Sequence, residues 1–289
     1  MKKLSAHAFA KLNLYLDITG RRADGYHLLE TVMQSISLCD TVTVEISGGS
    51  GIAVKCDRGD VPADRRNTAY RAAELFLQES GIKAQTDILL EKHIPSGAGM
   101  GGGSADAAAV LRLLNSGFGC PLSEGRLFDI AVQVGADVPF CLAGGTKLCR
   151  GIGEQLSEHP AAEGVTFLVI KPEFSCPTGA AYTSYDAAPI PPHGRMEEFT
   201  AAMAEGCFAG EMYNVFQTLY ADGRIETLCT RLAELGAQGA MLTGSGSAVF
   251  GVFPGKTAAE RAGERFADCF TAVCAPVQEG VSIIEREVL

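Results

Sequence analysis

The sequence predicts an α+β chain of two domains, and three observations carry the prediction. The first half contains a strand that runs through a glycine-rich loop into an alanine-rich helix. The second half has the order strand, helix, strand, strand, helix, strand, and a Gly/Pro-punctuated linker over residues 151–164 separates the two. With 289 residues, 47% of them hydrophobic and 20% charged, the chain is long enough for a large core and too apolar for disorder.

Residues 6–18 and 41–55 alternate or run β-branched in the manner of strands. Residues 67–78 have apolar side chains at helical spacing, with Asn67 as the N-cap and Gly81 as the stop. The strand TDILLE at 86–91 leads into the glycine loop, and a helix follows from Ser104 to about Asn115, capped by Ser104, with Asp106 in its first turn and Gly117 and Gly119 at its end. A third helix covers roughly 123–134, and Gly144 and Gly145 mark a turn. Beyond the linker come a strand at 165–170, a helical region at about 195–235, a hairpin through 240–243 and 248–253, a helix at about 257–268 and a strand at 271–274. That is the order of a ferredoxin-like split βαβ unit. The predicted division is 1–160 and 161–289.

Composition removes several functions. A formal net charge of −10 argues against nucleic acid as the main partner, because such binding is driven by Lys and Arg displacing counterions. The ten cysteines include no C-x-x-C pair and the five histidines are scattered, which predicts packed, reduced thiols rather than a disulfide frame or a zinc site. No apolar run reaches the length of a signal peptide or a membrane span, so the expectation is a soluble, cytoplasmic protein.

The segment IPSGAGMGGGSADAAA at 94–109 holds five glycines in the seven positions 97–103 and then turns to alanine. Bare backbone before a helix whose first N–H groups are free makes an anion site, and phosphate is the candidate. Gly97, Gly99 and Gly102 satisfy G-x-G-x-x-G, yet the region after the helix reads as helical rather than as a second strand ending in an acid, so a dinucleotide fingerprint does not fit. A Walker loop fails as well: no lysine follows these glycines, and Gly255-Lys256-Thr257 has Phe250 where the leading glycine belongs.

Three segments together resemble the GHMP kinase superfamily of ATP-dependent small-molecule kinases. Residues 95–104, PSGAGMGGGS, are similar to its phosphate loop; 242–251, LTGSGSAVFG, to its C-terminal glycine motif; and AKLNL at 10–14 with GRRADGYHLLETVMQ at 20–34 to the branch that acts on a cytidylyl-methylerythritol. The resemblance implies an N-terminal domain like domain 2 of ribosomal protein S5, a ferredoxin-like C-terminal domain, and ligands between them. It implies a kinase that transfers phosphate from ATP, with Mg²⁺, to the 2-hydroxyl of that alcohol. A mevalonate- or homoserine-type kinase is the neighbouring reading, and a non-catalytic nucleotide-binding module is the reading outside catalysis. A monomer or weak homodimer without nucleic acid or membrane partners is expected.

Residue roles follow from the same resemblance. Asp137, in GADVPF at 135–140, corresponds to the catalytic aspartate, although an Asp two residues before Pro is by itself an ordinary turn residue. Lys11 pairs with it in the family, and by period two Lys11, Asn13 and Tyr15 share one strand face. Asp137 is then the base for the substrate hydroxyl, and Lys11 offsets charge on the transferring phosphoryl. ATP is expected on Asn67, Pro95, Ser96, Gly97, Ala98, Gly99, Met100, Gly101, Gly102, Gly103 and Ser104. The alcohol is expected on Asn13, Tyr26, His27, Thr178, Tyr182, Thr243, Gly244 and Ser245, with His27 on the cytosine edge and Tyr26 and Tyr182 on opposite ring faces. No carboxylate cage for a metal is legible. Relatives commonly carry a second hydroxyl where this sequence has Ala105, so Ser104 stands alone.

Overall fold

A strand of 20 residues, β1 (Lys2–Arg21), opens the chain and runs antiparallel to β2 (His27–Ser47) over nearly its whole length. The structure is a computed structural model that describes residues 1–220 and 222–288. After β2 come β3 (Gly51–Cys56), α1 (Thr68–Ser80), β4 (Gln85–Glu91), α2 (Gly102–Gly117), α3 (Glu124–Val134), α4 (Val138–Ala143), β5 (Thr146–Arg150) and β6 (Gln155–Glu158). The first sheet has the order β12-β1-β2-β4-β3, where β12 is Val281–Val288; β5 pairs with the first part of β2, and β6 with β5.

Ala6, Ala8, Ala10, Leu12 and Leu14 of β1 are fully buried beneath α2, whose own Ala105, Ala107, Ala108 and Ala109 are equally buried. Small side chains on both surfaces bring helix and sheet close together, and α2 is enclosed on nearly every side, as a helix without a polar face requires. Asn67 caps α1 through Ala69 N, and Gly81 closes it in the left-handed conformation, as the spacing predicts.

The second sheet is built from β7 (Thr166–Lys171), β9 (Gly239–Leu242), β10 (Val249–Phe253) and β11 (Phe270–Cys274), in the order β11-β7-β10-β9 with every pair antiparallel. Two helices, α7 (Arg224–Glu234) and α8 (Lys256–Gly263), pack on it, which completes the ferredoxin-like arrangement. Between β7 and α7 lie α5 (Thr178–Ala187), α6 (Met196–Ala204) and the two-residue strand β8 (Tyr213–Asn214), which pairs with β1.

Several expected elements differ. Residues 41–55 are the end of β2 and a separate β3, broken at Gly48-Gly49-Ser50, and β3 lies parallel to β4. The helical region at 195–235 is α6, β8, a 3₁₀ turn over Val215–Leu219 and α7. The linker at 151–164 contains β6, hydrogen-bonded into the first sheet. Helix α2 starts at Gly102 with Gly101 as N-cap, so Ser104 is its third residue and not its cap, and Asp106 lies beyond its first turn. Tyr15 does not share a face with Lys11 and Asn13: the register shifts between Asn13 and Tyr15, Leu14 is the extra residue, and alternation inverts after it.

Candidate active site

Strand β1 is tied to the glycine loop through its backbone, Lys11 N donating to Met100 O at 3.0 Å. The Lys11 ammonium is almost completely buried; it donates to Asn13 Oδ1 at 2.6 Å and lies 3.5 Å from Asp137 Oδ2. Asn13 Nδ2 donates to Thr31 Oγ1 at 2.9 Å, and that hydroxyl donates to Tyr15 O at 2.5 Å, so the network turns the amide oxygen toward the lysine. A buried ammonium is costly unless paired, and this one has a carboxylate and an amide oxygen. Asp137 sits at the head of α4 with about a third of its side chain exposed, open to a ligand.

The two glycine motifs are back to back. Ser247 N donates to Gly97 O and Ala248 N to Ala98 O, each at 3.2 Å. Gly99, at φ +74°, runs so near the second motif that a β-carbon there would stand 2.2 Å from Thr243 O. Asn214 Nδ2 braces the second motif through Leu242 O and Gly244 O, at 2.8 and 2.9 Å, and Tyr220 OH donates to Ser245 O at 2.6 Å. The first three N–H groups of α2 open toward the cavity behind this double loop. Ser104 lines it with a hydroxyl that has no partner among the described residues, whereas Ala105 is fully buried in the core and lines nothing there. A hydroxyl at 105 would face the core, so Ala105 takes nothing from this cavity.

Beneath the loop lies a buried group of charges. Lys92 Nζ, between β4 and the loop, binds Asp106 Oδ2 at 2.6 Å and also Asp40 Oδ2, while Asp40 Oδ1 accepts His93 N and Ile94 N at 2.6 and 2.8 Å. Two carboxylates share one ammonium, and Asp106 Oδ1 has no partner among the described residues. Burial pushes the Asp106 carboxyl above the usual carboxylate range, and the two carboxylates push Lys92 up against the effect of its own burial.

On the other wall, His27 Nε2 meets Asp186 Oδ1 at 2.8 Å, and its ring stacks on Tyr182 with centroids 4.9 Å apart and planes 26° from parallel. Tyr26 is 60% exposed at the mouth; the ring stacked on Tyr182 in this structure is the His27 imidazole, while Phe216 meets Tyr182 edge-on at 4.9 Å. Thr178 and Ser245 join their hydroxyls at 3.0 Å.

The Lys11–Asp137 pair, the glycine loop, Lys92 and Asp106, the His27–Tyr182–Asp186 wall and Thr178, Gly244 and Ser245 line one cavity of about 810 Å³ between the two halves, large enough for a nucleotide and a second small ligand. Every residue expected to act in catalysis, on ATP or on the alcohol lines it except Thr243, which is buried and accepts the backbone N–H of Asn13 at 3.1 Å. Thr31, Lys92, Asp106, Ile152 and Asp186 line it too, and the sequence assigns none of them a catalytic or binding role. Among the described residues there is no cluster of three His, Cys, Asp or Glu able to hold a metal, all ten cysteines are free, and no helix is long and apolar enough to cross a membrane.

The profile of the GHMP kinases N terminal domain matches residues 67–145 and that of the GHMP kinases C terminal domain residues 192–272. The chain belongs to the GHMP kinase family. A protein of Acetivibrio thermocellus named 4-diphosphocytidyl-2-C-methyl-D-erythritol kinase is 43% identical over 258 residues, covering 88% of this GHMP kinase and 91% of the relative. A crystal structure of 4-(cytidine 5'-diphospho)-2C-methyl-D-erythritol kinase superposes with a TM-score of 0.77 at 35% identity, over 95% of this chain and 99% of that one. A homoserine kinase from Cytophaga hutchinsonii, at 19% identity and a TM-score of 0.78 over 98% and 97%, shares the GHMP kinase fold.

Proposed function

We propose that this GHMP kinase transfers the terminal phosphoryl group of ATP to the 2-hydroxyl of 4-diphosphocytidyl-2-C-methyl-D-erythritol, releasing ADP and the 2-phosphate, in the cytoplasmic non-mevalonate route to isoprenoid precursors. The observation that carries it is the Lys11–Asp137 pair, 3.5 Å apart and lining the same cavity as the glycine loop and the His27–Tyr182 wall.

Phosphoryl transfer asks mainly for positioning and for positive groups around the phosphates. The N–H groups at the start of α2 supply donors for the phosphates, and Asn67, its amide engaged by Ala69 N and Pro62 O, lines the nucleoside side at the head of α1. Asp137 accepts the proton of the attacking hydroxyl. Lys11, its stem packed against Gly101 and its ammonium held by Asn13, faces the charge that develops on the transferred group. Thr178, Gly244 and Ser245 hold the polar tail of the alcohol. Mg²⁺ arriving on the nucleotide supplies neutralisation of the phosphates; such an ion needs few protein ligands, and the unpartnered Ser104 hydroxyl is a hard oxygen that fits the role.

The test is ADP release from the purified chain. Asp137→Asn and Lys11→Ala are expected to lower kcat by about 10³ while ATP affinity stays within a few-fold. Near-normal turnover in either folded variant, or a preference for mevalonate or homoserine, would sink the assignment.

A further inference from the structure

His27 and Asp186 come from different halves of the molecule, β2 and α5, and meet in a bond the proposed reaction does not by itself require. The His27 side chain is only 9% exposed; Tyr182 covers one face and Tyr185 meets the ring at 5.6 Å with planes 87° apart. The other oxygen of Asp186 lies 3.5 Å from Arg21 Nη2, so the carboxylate is anchored at both oxygens. A carboxylate only accepts hydrogen bonds, which puts the shared proton on Nε2, and in the neutral ring Nδ1 then carries the lone pair. That Nδ1 has no hydrogen-bond partner among the described residues, although the ring lines the cavity.

We propose that Asp186 is a positioning residue for base recognition: through His27 it fixes the tautomer that presents an acceptor to the ligand, and so selects a base with an exocyclic amino group. Cytosine offers an N–H donor at its 4-position. Uracil has a carbonyl oxygen there, and two lone pairs would face each other at a site with little water to separate them. Arg21, Asp186, His27 and Tyr182 thus form one unit that joins the two halves around the base. The inference rests on the cytidylyl substrate proposed above and adds to it the residue that sets base preference.

Two measurements on the full chain test it. Long-range proton–nitrogen spectra of the unmodified protein are expected to show His27 as the Nε2–H tautomer with an unprotonated Nδ1. An Nδ1–H tautomer or a doubly protonated ring overturns the proposal, whatever any variant does. In steady-state kinetics, Asp186→Ala is expected to raise KM for the cytidylyl alcohol roughly tenfold, with KM for ATP unchanged and the preference for the cytidylyl over the uridylyl compound reduced by a similar factor. Asp186→Asn, whose amide oxygen still accepts from Nε2, restores most of that preference. An equal change in KM for ATP and alcohol, or an unaltered base preference, means a merely structural pair and overturns the proposal alone. Absence of ADP release by the unmodified enzyme with the cytidylyl compound removes the kinase reading and this inference with it.

Discussion

Gly99 owes its identity to the loop behind it. Any larger residue must adopt φ +74° and also displace Thr243 O, which would lie 2.2 Å from its β-carbon. Gly99→Ala is therefore expected to cost about 2–4 kcal/mol of stability and to weaken ATP binding, since both glycine motifs must separate. Gly119→Ala is the matched control: φ there is +80° with nothing within 4 Å of the added carbon, so about 1 kcal/mol of backbone strain is expected. Thermal unfolding with and without ATP reads both. At this scale the sequence was most informative where a backbone requirement leaves a mark. Gly97 to Ser104 stand out because a glycine cluster before a helix is visible along the chain, whereas Lys11 and Asp137 rest on the family resemblance, Asp137 by itself reading as an ordinary turn residue. Asp186 leaves no such mark, for its partner is 159 residues away and its surroundings, TSYDAA, read as any polar helix end. Tyr15 falls on the face opposite to the one its spacing predicts because one bulge residue inverts alternation without changing composition.

Among the elements, β4 and α2 are held together by the shared charge of Lys92. Lys92→Met leaves Asp40 and Asp106 buried without their cation, and a loss of about 3–5 kcal/mol is expected in denaturant unfolding. Asp106→Asn removes the surplus negative charge and is expected to change the pH dependence instead. An acid whose folded pKa is raised holds its proton more tightly folded than unfolded. Its contribution to stability is thus fully present below the unfolded value, about 4, and is lost as pH rises through the raised folded value. The unmodified protein should show this decline on the way to neutral pH, and Asp106→Asn should flatten it; equal slopes in the two proteins would contradict the assignment. Helices with capping signals, α1 and α3, were legible almost to the residue. The first part of β2 was not, because its motif residues line the cavity and hide the strand pattern, and α5 carries no helical signal because its surface is mostly small and polar.

Across the whole molecule, the division of the sequence at residue 160 describes two sheets but not two independent pieces of chain. Strand β12 returns to pair with β1 from Lys2 to Ala8, β8 pairs with Tyr15 and Leu16, and Gly280 passes so close to α4 that a β-carbon on it would stand 1.9 Å from Cys141 O. Truncation after Gly280 uncovers the outer edge of β1 and is expected to abolish cooperative unfolding of the first sheet along with ADP release, measured by circular dichroism and turnover. The ferredoxin-like order was legible because glycines and prolines punctuate its four core strands. The return of β12 was not, since the alternating run VSIIEREV carries no indication of which edge it joins.

That late pairing sets a timetable for the growing chain. Strand β1, which bears Lys11, leaves the ribosome long before the strand that covers its outer edge, which begins only at Val281. Until then the nascent protein presents an unpaired ladder of amides and carbonyls to its neighbours on the polysome. Synthesis and assembly therefore run in opposite senses here, and a pause in translation before residue 281 prolongs the interval in which two unfinished chains can pair through β1.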